Sequence, residues 1–262
     1  MRRTSVIASN VSKSFTVRDK PARSGVKRFL PGKKKQFTAL SDISFEAYEG
    51  DAIGVIGVNG SGKSTLMAMV AGLTKPTTGR MTVAGEASLL AVSAGLNGFL
   101  TGRENIRYKC MILGYDDKKV REITEKSIEF ADVGDFIDRP MRTWSSGMKM
   151  RLGFAVSAYL DPDILVIDEA LAVGDPIFAN KCHEKILDFR KANKTIFIVS
   201  HSTGGIKKYC DKVLWLHKGK LVEYGAQSDV IQDYTEFVDR EKLASQKARK
   251  ADDDDDIPNI II

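Results

Sequence analysis

Apolar and polar positions divide the chain into short strands and longer helices. Val6-Ile7-Ala8, followed by Val11, predicts a strand running to Phe15. Leu40 to Ala47 alternates apolar and polar residues, the period-two mark of a half-buried strand. Asp51 to Ile56 reads as a short buried strand, and Leu66 to Ala71 continues as a helix start. Pro76, Gly79 and Gly85 punctuate short strands around Met81–Val83 and Ala87–Leu90. Ser93 to Leu100 reads as a loop. Thr101-Gly102-Arg103-Glu104 is a capping box that opens a helix toward Met111. A second amphipathic helix spans Lys118 to Ala131, and a third follows Gly147, with Met148, Leu152, Ala155 and Tyr159 on one face. Ile164 to Ile167 and Thr195 to Ser200 are apolar runs, typical of parallel strands covered on both faces. Between them Asp175-Pro176 caps a helix, with proline at its first position. A hairpin turns at Lys218-Gly219-Lys220, and Ser228 to Arg249 is polar and helical. Strands alternating with helices predict an α/β fold with a parallel sheet and ligand at the strands' carboxyl ends.

Composition narrows the class. At 262 residues and 43% hydrophobic, the chain can bury a good core. No apolar run approaches the ~20 residues that span a bilayer. Met1-Arg2-Arg3 begins with charge, but no long apolar stretch follows, so no signal peptide is visible. Cys110, Cys182 and Cys210 lie far apart without metal-ligand spacing and fit a reducing compartment. The net charge of +6 is unevenly spread. Arg18 to Lys35 holds eight cationic residues against Asp19, broken by Pro21, Gly25, Pro31 and Gly32. This segment predicts a solvated loop, or a surface for an anionic membrane. Asp252 to Asp256 is a run of five acids, and the tail around it predicts disorder.

The chemistry starts at Gly57-Val58-Asn59-Gly60-Ser61-Gly62-Lys63-Ser64-Thr65, which fits the phosphate-loop pattern G-x-x-x-x-G-K-[ST]. A strand precedes it and a helix follows, the arrangement that aims backbone N–H groups and a helix dipole at an anion. Lys63 is expected to reach the β- and γ-phosphates of a nucleoside triphosphate, and the Ser64 hydroxyl to ligate Mg²⁺. Asp168, after four apolar residues, is the expected Mg²⁺ carboxylate, acting through water. Glu169 beside it is placed to orient or deprotonate the attacking water. His201 ends another buried strand and is a candidate to hydrogen-bond the γ-phosphate or that water. Three strand ends thus converge on one predicted site.

The order of the phosphate loop, Trp144-Ser145-Ser146-Gly147-Met148, Ile164–Glu169, Asp175 and His201 resembles an ATP-binding cassette (ABC) ATPase. The resemblance covers roughly residues 4 to 240. It implies a P-loop NTPase core with an antiparallel β subdomain and an inserted helical subdomain. The cassette would occupy residues 1–240, its helical lobe about 93–160, and residues 241–262 a polar, acidic tail. Trp144 to Met148 matches the family's signature motif, with Ser-Ser-Gly-Met in place of Ser-Gly-Gly-Gln. The family then implies that Ser145, Ser146, Gly147 and Met148 meet the γ-phosphate of ATP held by a second copy. Asp175 matches the loop that touches that copy, and Phe15 the aromatic that stacks on adenine; Phe15 also fits a core aromatic. The family's usual glutamine between core and helical lobe is missing, for no glutamine occurs between Gln36 and Gln227. Ser93 is the candidate to substitute for it.

A finer resemblance is to ATPase subunits that export polysaccharides by the lipid-linked route. It rests on Ser93 to Asn105, Asp168 to Asp175 and the insertion between Phe15 and Leu40. Val199 to Ser202 and Val213 to His217 are most similar to the teichoic acid exporters within that group. The implied partners are a second copy, an integral membrane permease and, through it, a lipid-linked glycan, at the cytoplasmic face of the membrane. O-antigen or capsular export is the alternative within the group. A non-transport cassette is the alternative outside it, but a single phosphate loop and no sustained heptads disfavour that reading, and no nucleic-acid partner is expected.

Overall fold

The computed structural model describes residues 2–18, 34–90, 96–167, 176–200 and 203–254. Two sheets and a helical lobe share three apolar cores. The first sheet joins β1 (Thr4–Arg18), β2 (Lys34–Tyr48) and β4 (Thr78–Val83), antiparallel and in the order β2-β1-β4. The second contains β3 (Ala52–Ile56), β5 (Ala87–Leu90), β6 (Ile164–Ile167), β7 (Thr195–Val199), β8 (Lys212–His217) and β9 (Lys220–Ala226). Its order is β5-β6-β7-β3-β8-β9, parallel except for the β8–β9 hairpin.

The central strands are wholly apolar because helices or the other sheet cover both their faces. Their side chains alternate between two cores with period two. Ile53, Val55, Ile164, Val166, Phe197, Val199, Leu214 and Leu216 point to one core, shared with the antiparallel sheet and with α1 (Lys63–Val70). Ile56, Leu165, Ile167, Ile196, Ile198, Val213 and Trp215 point to the other. That second core is closed by α4 (Ser146–Tyr159), α5 (Pro176–Lys191), α6 (Thr203–Tyr209) and α7 (Gln227–Asp254).

The third core lies in the helical lobe. There α2 (Gly102–Ile112) and α3 (Asp117–Ala131) pack on α4 through Ile106, Cys110, Val120, Ile123, Leu152, Ala155 and Val156. The capping box at Thr101 and Glu104 forms in both directions. α4 differs from the one-faced helix that its sequence predicts: Leu152, Ala155 and Val156 face the lobe, while Phe154 and Ala158 face the parallel sheet. A helix that is apolar all round is a buried helix, and α4 is the wall between two cores. Phe130 of α3 stacks on Phe154 with ring centroids 5.5 Å apart and meets Phe178 of α5 edge-on at 5.6 Å.

Four other elements depart from the sequence reading. β1 and β2 run on past the apolar segments, because each polar arm is hydrogen-bonded to the other as far as Arg18↔Lys34. α6 was not predicted: its Thr-Gly-Gly start has poor helix propensity, and Ile206, buried against the second core, holds it. α7 continues to Asp254, so the helix read over Ser228 to Arg249 runs five residues further, into the acidic run where the sequence predicts disorder. The helix is anchored by buried Val230 and Ile231, and by Tyr234 and Phe237 against Trp215, before good helix formers such as Glu241, Lys242, Leu243 and Ala244 extend it. Residues 19–33 and 255–262, with most of the basic insertion and the end of the acidic run, lie outside the described residues.

Asp51 pins the edge where the two sheets meet. It is only 4% exposed and accepts from Tyr48 N at 2.9 Å, Lys212 Nζ at 2.8 Å and Arg2 Nη1 at 3.2 Å. Removing a buried acceptor leaves its donors unsatisfied. Asp51→Ala is expected to destabilise the protein by about 2–3 kcal/mol, read as a lower urea midpoint. Asp51→Asn should lose less, since the amide oxygen still accepts from Tyr48.

Candidate nucleotide site

β3 ends at Ile56 and the chain turns through residues 57–62 into α1. Two glycines allow this path. Gly62 has φ +106°, and a Cβ there would lie 2.5 Å from Leu40 Cδ2 and 2.8 Å from Ala39 O. A Cβ on Gly57 would lie 2.2 Å from Leu216 O. The loop therefore lies directly against β2 on one side and β8 on the other, which only residues without a side chain permit. Two backbone bonds fix the packing: Gly219 N–H donates to Ser61 O at 3.1 Å, and Ser41 N–H donates to Gly219 O at 2.8 Å.

No side chain caps α1, and its first turn carries no acid. Its positive end is left to an external anion. Lys63 is 6% exposed, and its Nζ donates to Gly57 O at 2.7 Å and Val58 O at 3.1 Å. The loop carbonyls thus hold the ammonium at the cleft. Ser61 is 1% exposed, and its Oγ is buried without a hydrogen-bond partner. The cleft measures about 240 Å³ and is lined by Phe37, Ala39, Asn59 to Thr65 and Val199. Its described lining offers an ammonium, hydroxyls and N–H groups and no carboxylate, which suits a polyphosphate. Ser64 is exposed and Thr65 half-buried at this rim.

The structure brings together Asn59, Gly60, Ser61, Gly62, Lys63, Ser64 and Thr65 at the cleft, with Gly57 at the loop's base. Asp168, Glu169, Asp175, His201 and Ser93 lie outside the described residues. The strands that lead to them are described: Ile167 pairs with Ile198, and Val199 with Val55, so β6, β7 and β3 end together at the loop.

The 145–148 segment lies elsewhere, on the helical lobe. Trp144 is 4% exposed and its Nε1 donates to Arg139 O at 3.1 Å. This anchor sets the exposed Ser145, whose Oγ accepts from Met148 N at 3.2 Å and so caps α4. None of Ser145, Ser146, Gly147 or Met148 lines the cleft of its own chain.

Phe15 is 41% exposed, with Lys13 Nζ 5.3 Å from its ring centre, and it is not among the residues lining the cleft. Phe37, its cross-strand partner, does line it. The available signal was the Phe37-x-Ala39 spacing, which puts both side chains on one face of a strand. The cysteines stand apart from this chemistry: burial pushes the Cys182 and Cys210 thiols up to about 12, which keeps them protonated and unreactive.

The family model described as ABC transporter matches residues 40–172, just over half of the chain. The chain belongs to the ABC transporter family. Among curated relatives, the teichoic acids export ATP-binding protein TagH of Shouchella clausii is 46% identical over 236 residues, covering 89% of this chain and 66% of the relative. The TagH protein of Bacillus cereus is 45% identical over 242 residues, covering 92% of this chain and 44% of the relative. The chain therefore spans just under two thirds of the first relative's length and less than half of the second's. Solved ABC structures share the fold. A dimeric post-hydrolysis state of the ATP-binding cassette MJ0796 bound to ADP and Pi superposes with TM-score 0.69 at 18% identity, covering 85% of this chain and 98% of that one. An ATP-binding subunit of an ABC transporter superposes with TM-score 0.71 at 19% identity, covering 88% and 93%. These cassettes and this chain agree in architecture, as the sequence resemblance implies: a P-loop α/β core, an antiparallel β sheet and a helical lobe. Among the described residues no helix is long and apolar enough to cross a membrane.

Proposed function

We propose that this chain is the ATP-hydrolysing subunit of a transporter that exports a lipid-linked cell-wall glycopolymer, teichoic acid. The observation that carries the ATP reading is the uncapped α1 terminus, with Lys63 buried at its mouth and Ser61 Oγ unpartnered within it. The substrate reading rests on likeness to the TagH proteins at 45–46% identity across about nine tenths of this chain.

In this reading the N–H groups of residues 60–65 and Lys63 hold the β- and γ-phosphates. Mg²⁺, when bound at Ser64 and Asp168, supplies neutralising charge for the departing phosphate. Glu169 takes the proton of the attacking water, and His201 holds that water or the γ-phosphate. Ser93 takes the place of the family's glutamine. The exposed Ser145 segment faces outward, as it must if it completes the site of a second copy, with Asp175 at that junction. The remaining partner is an integral membrane permease, which places the chain at the cytoplasmic face of the membrane.

The test is purification of the chain from detergent-solubilised native membranes. It is expected to bring down an integral membrane protein and to show ATP hydrolysis that a lipid-linked teichoic acid precursor stimulates. Recovery with ribosomes or DNA, or hydrolysis indifferent to every lipid-linked glycan offered, would remove the transport reading.

A further inference from the structure

We infer that Asn105 of α2 is a positioning residue for Ser145: its buried amide locks residues 97–101 onto the segment that leads into Ser145, and so sets the face offered to a second copy. The inference rests on the two-copy reading above and names the residue that holds that face in place.

Asn105 is 1% exposed, near the start of α2. Its Oδ1 accepts from Asn97 N–H at 2.7 Å. Its Nδ2 donates to Thr101 O at 2.8 Å and Asn97 O at 3.0 Å, with longer contacts to Leu100 O at 3.4 Å and Met141 Sδ at 3.2 Å. The amide sits one way round, because Asn97 N–H requires an acceptor. Burying an amide is costly unless both of its ends are bonded. Here the bonds go to residues 97–101, which are neither helix nor strand and take their shape from this side chain.

Those residues are one half of a clamp. Leu100 O accepts from Met141 N–H at 2.9 Å, Gly98 O accepts from Arg142 N–H at 2.8 Å, and Thr101 pairs with Pro140 in an antiparallel bridge. Trp144 N–H then donates to Met141 O at 3.1 Å. The Trp144 ring closes over Gly102, where a Cβ would lie 2.5 Å from Cη2. Ser145, exposed, is the next residue. An unbroken path of hydrogen bonds and one ring contact thus joins Asn105 to Ser145. Asn105 does not line the nucleotide cleft of its own chain. Its effect falls on the face that a partner copy meets, and the phosphate loop is left alone.

The experiment adds Asn105→Ala to the Glu169→Gln chain, whose two copies are expected to close over ATP. Light scattering reads the dimer, and calorimetry with ADP reads the phosphate loop of a single copy. The ATP-dependent dimer should be lost, while ADP affinity stays within about twofold, as for sites that share no partners. With Glu169 intact, Asn105→Ala should lower kcat on the order of 10²-fold, the cost of misplacing a positioned group by about 1 Å. A staple then separates the clamp from the amide. A Cβ on Gly98 would lie 3.8 Å from Arg142 Cβ, the spacing of a disulfide, and the three native cysteines are buried. Oxidised Gly98→Cys with Arg142→Cys should restore the dimer to the Asn105→Ala chain, and a reductant should abolish it again. A dimer and kcat unchanged by Asn105→Ala would overturn the inference. So would ADP affinity that falls in step, which makes Asn105 a brace for the whole cassette, or a staple that restores nothing. A Glu169→Gln parent that binds ADP yet stays monomeric with ATP would overturn the two-copy reading, and the inference with it.

Discussion

Lys63→Ala is expected to abolish measurable ATP hydrolysis and to weaken ATP by roughly 30- to 3,000-fold. The magnitude follows from what truncating one partner of a buried, hydrogen-bonded charge pair costs, about 2–5 kcal/mol, with 1.4 kcal/mol to each tenfold. Lys63 is buried at the head of α1, and its ammonium is held by Gly57 O and Val58 O. Alanine removes the charge that meets the phosphates and strips those carbonyls of their donor. The fold should survive, because the surrounding loop is fixed by backbone contacts with β2 and β8. Calorimetric titration checks the affinity, and far-ultraviolet circular dichroism checks the fold. Wild-type ATP affinity in the mutant would place the polyphosphate somewhere other than the α1 terminus.

Glu169→Gln is expected to separate binding from chemistry. Glutamine keeps the size and one acceptor oxygen but cannot take a proton. Hydrolysis should fall by ~10²–10⁴-fold, the usual cost of losing a general base, with ATP affinity kept. If two copies close over ATP through the Ser145 segment, unhydrolysed nucleotide should hold them together. Light scattering of the mutant with ATP and Mg²⁺ would then report a dimer that the wild type passes through only briefly. Hydrolysis at the wild-type rate would take Glu169 out of the mechanism.

Much of this arrangement was legible in the chain. The phosphate loop could be read because its chemistry is local: Gly57 to Thr65 carry their own turn, donors and helix start. The central strands could be read because burial on both faces leaves them no polar positions. What escaped depended on contacts remote in sequence. α6 exists through Ile206 and the second core, against its own propensity. The two sides of α4 became distinct only once each had a core to face. Phe37 gave no local signal, since its place at the cleft depends on Gly62, which lies 25 positions later and has no side chain to keep β2 at a distance.

The position of α4 has a consequence for cooperativity. Local opening in a protein tends to follow units that share a core, and this helix belongs to two. If α2 and α3 detach, Leu152, Ala155 and Val156 are stripped of partners, while Phe154 and Ala158 remain clamped by the sheet side. The lobe therefore cannot melt by itself at the low free energy usual for an inserted segment, since half of the shared wall must be left bare. Movement of the lobe that keeps this wall intact is rigid-body tilting with α4, carrying Ser145 at its N-terminus along.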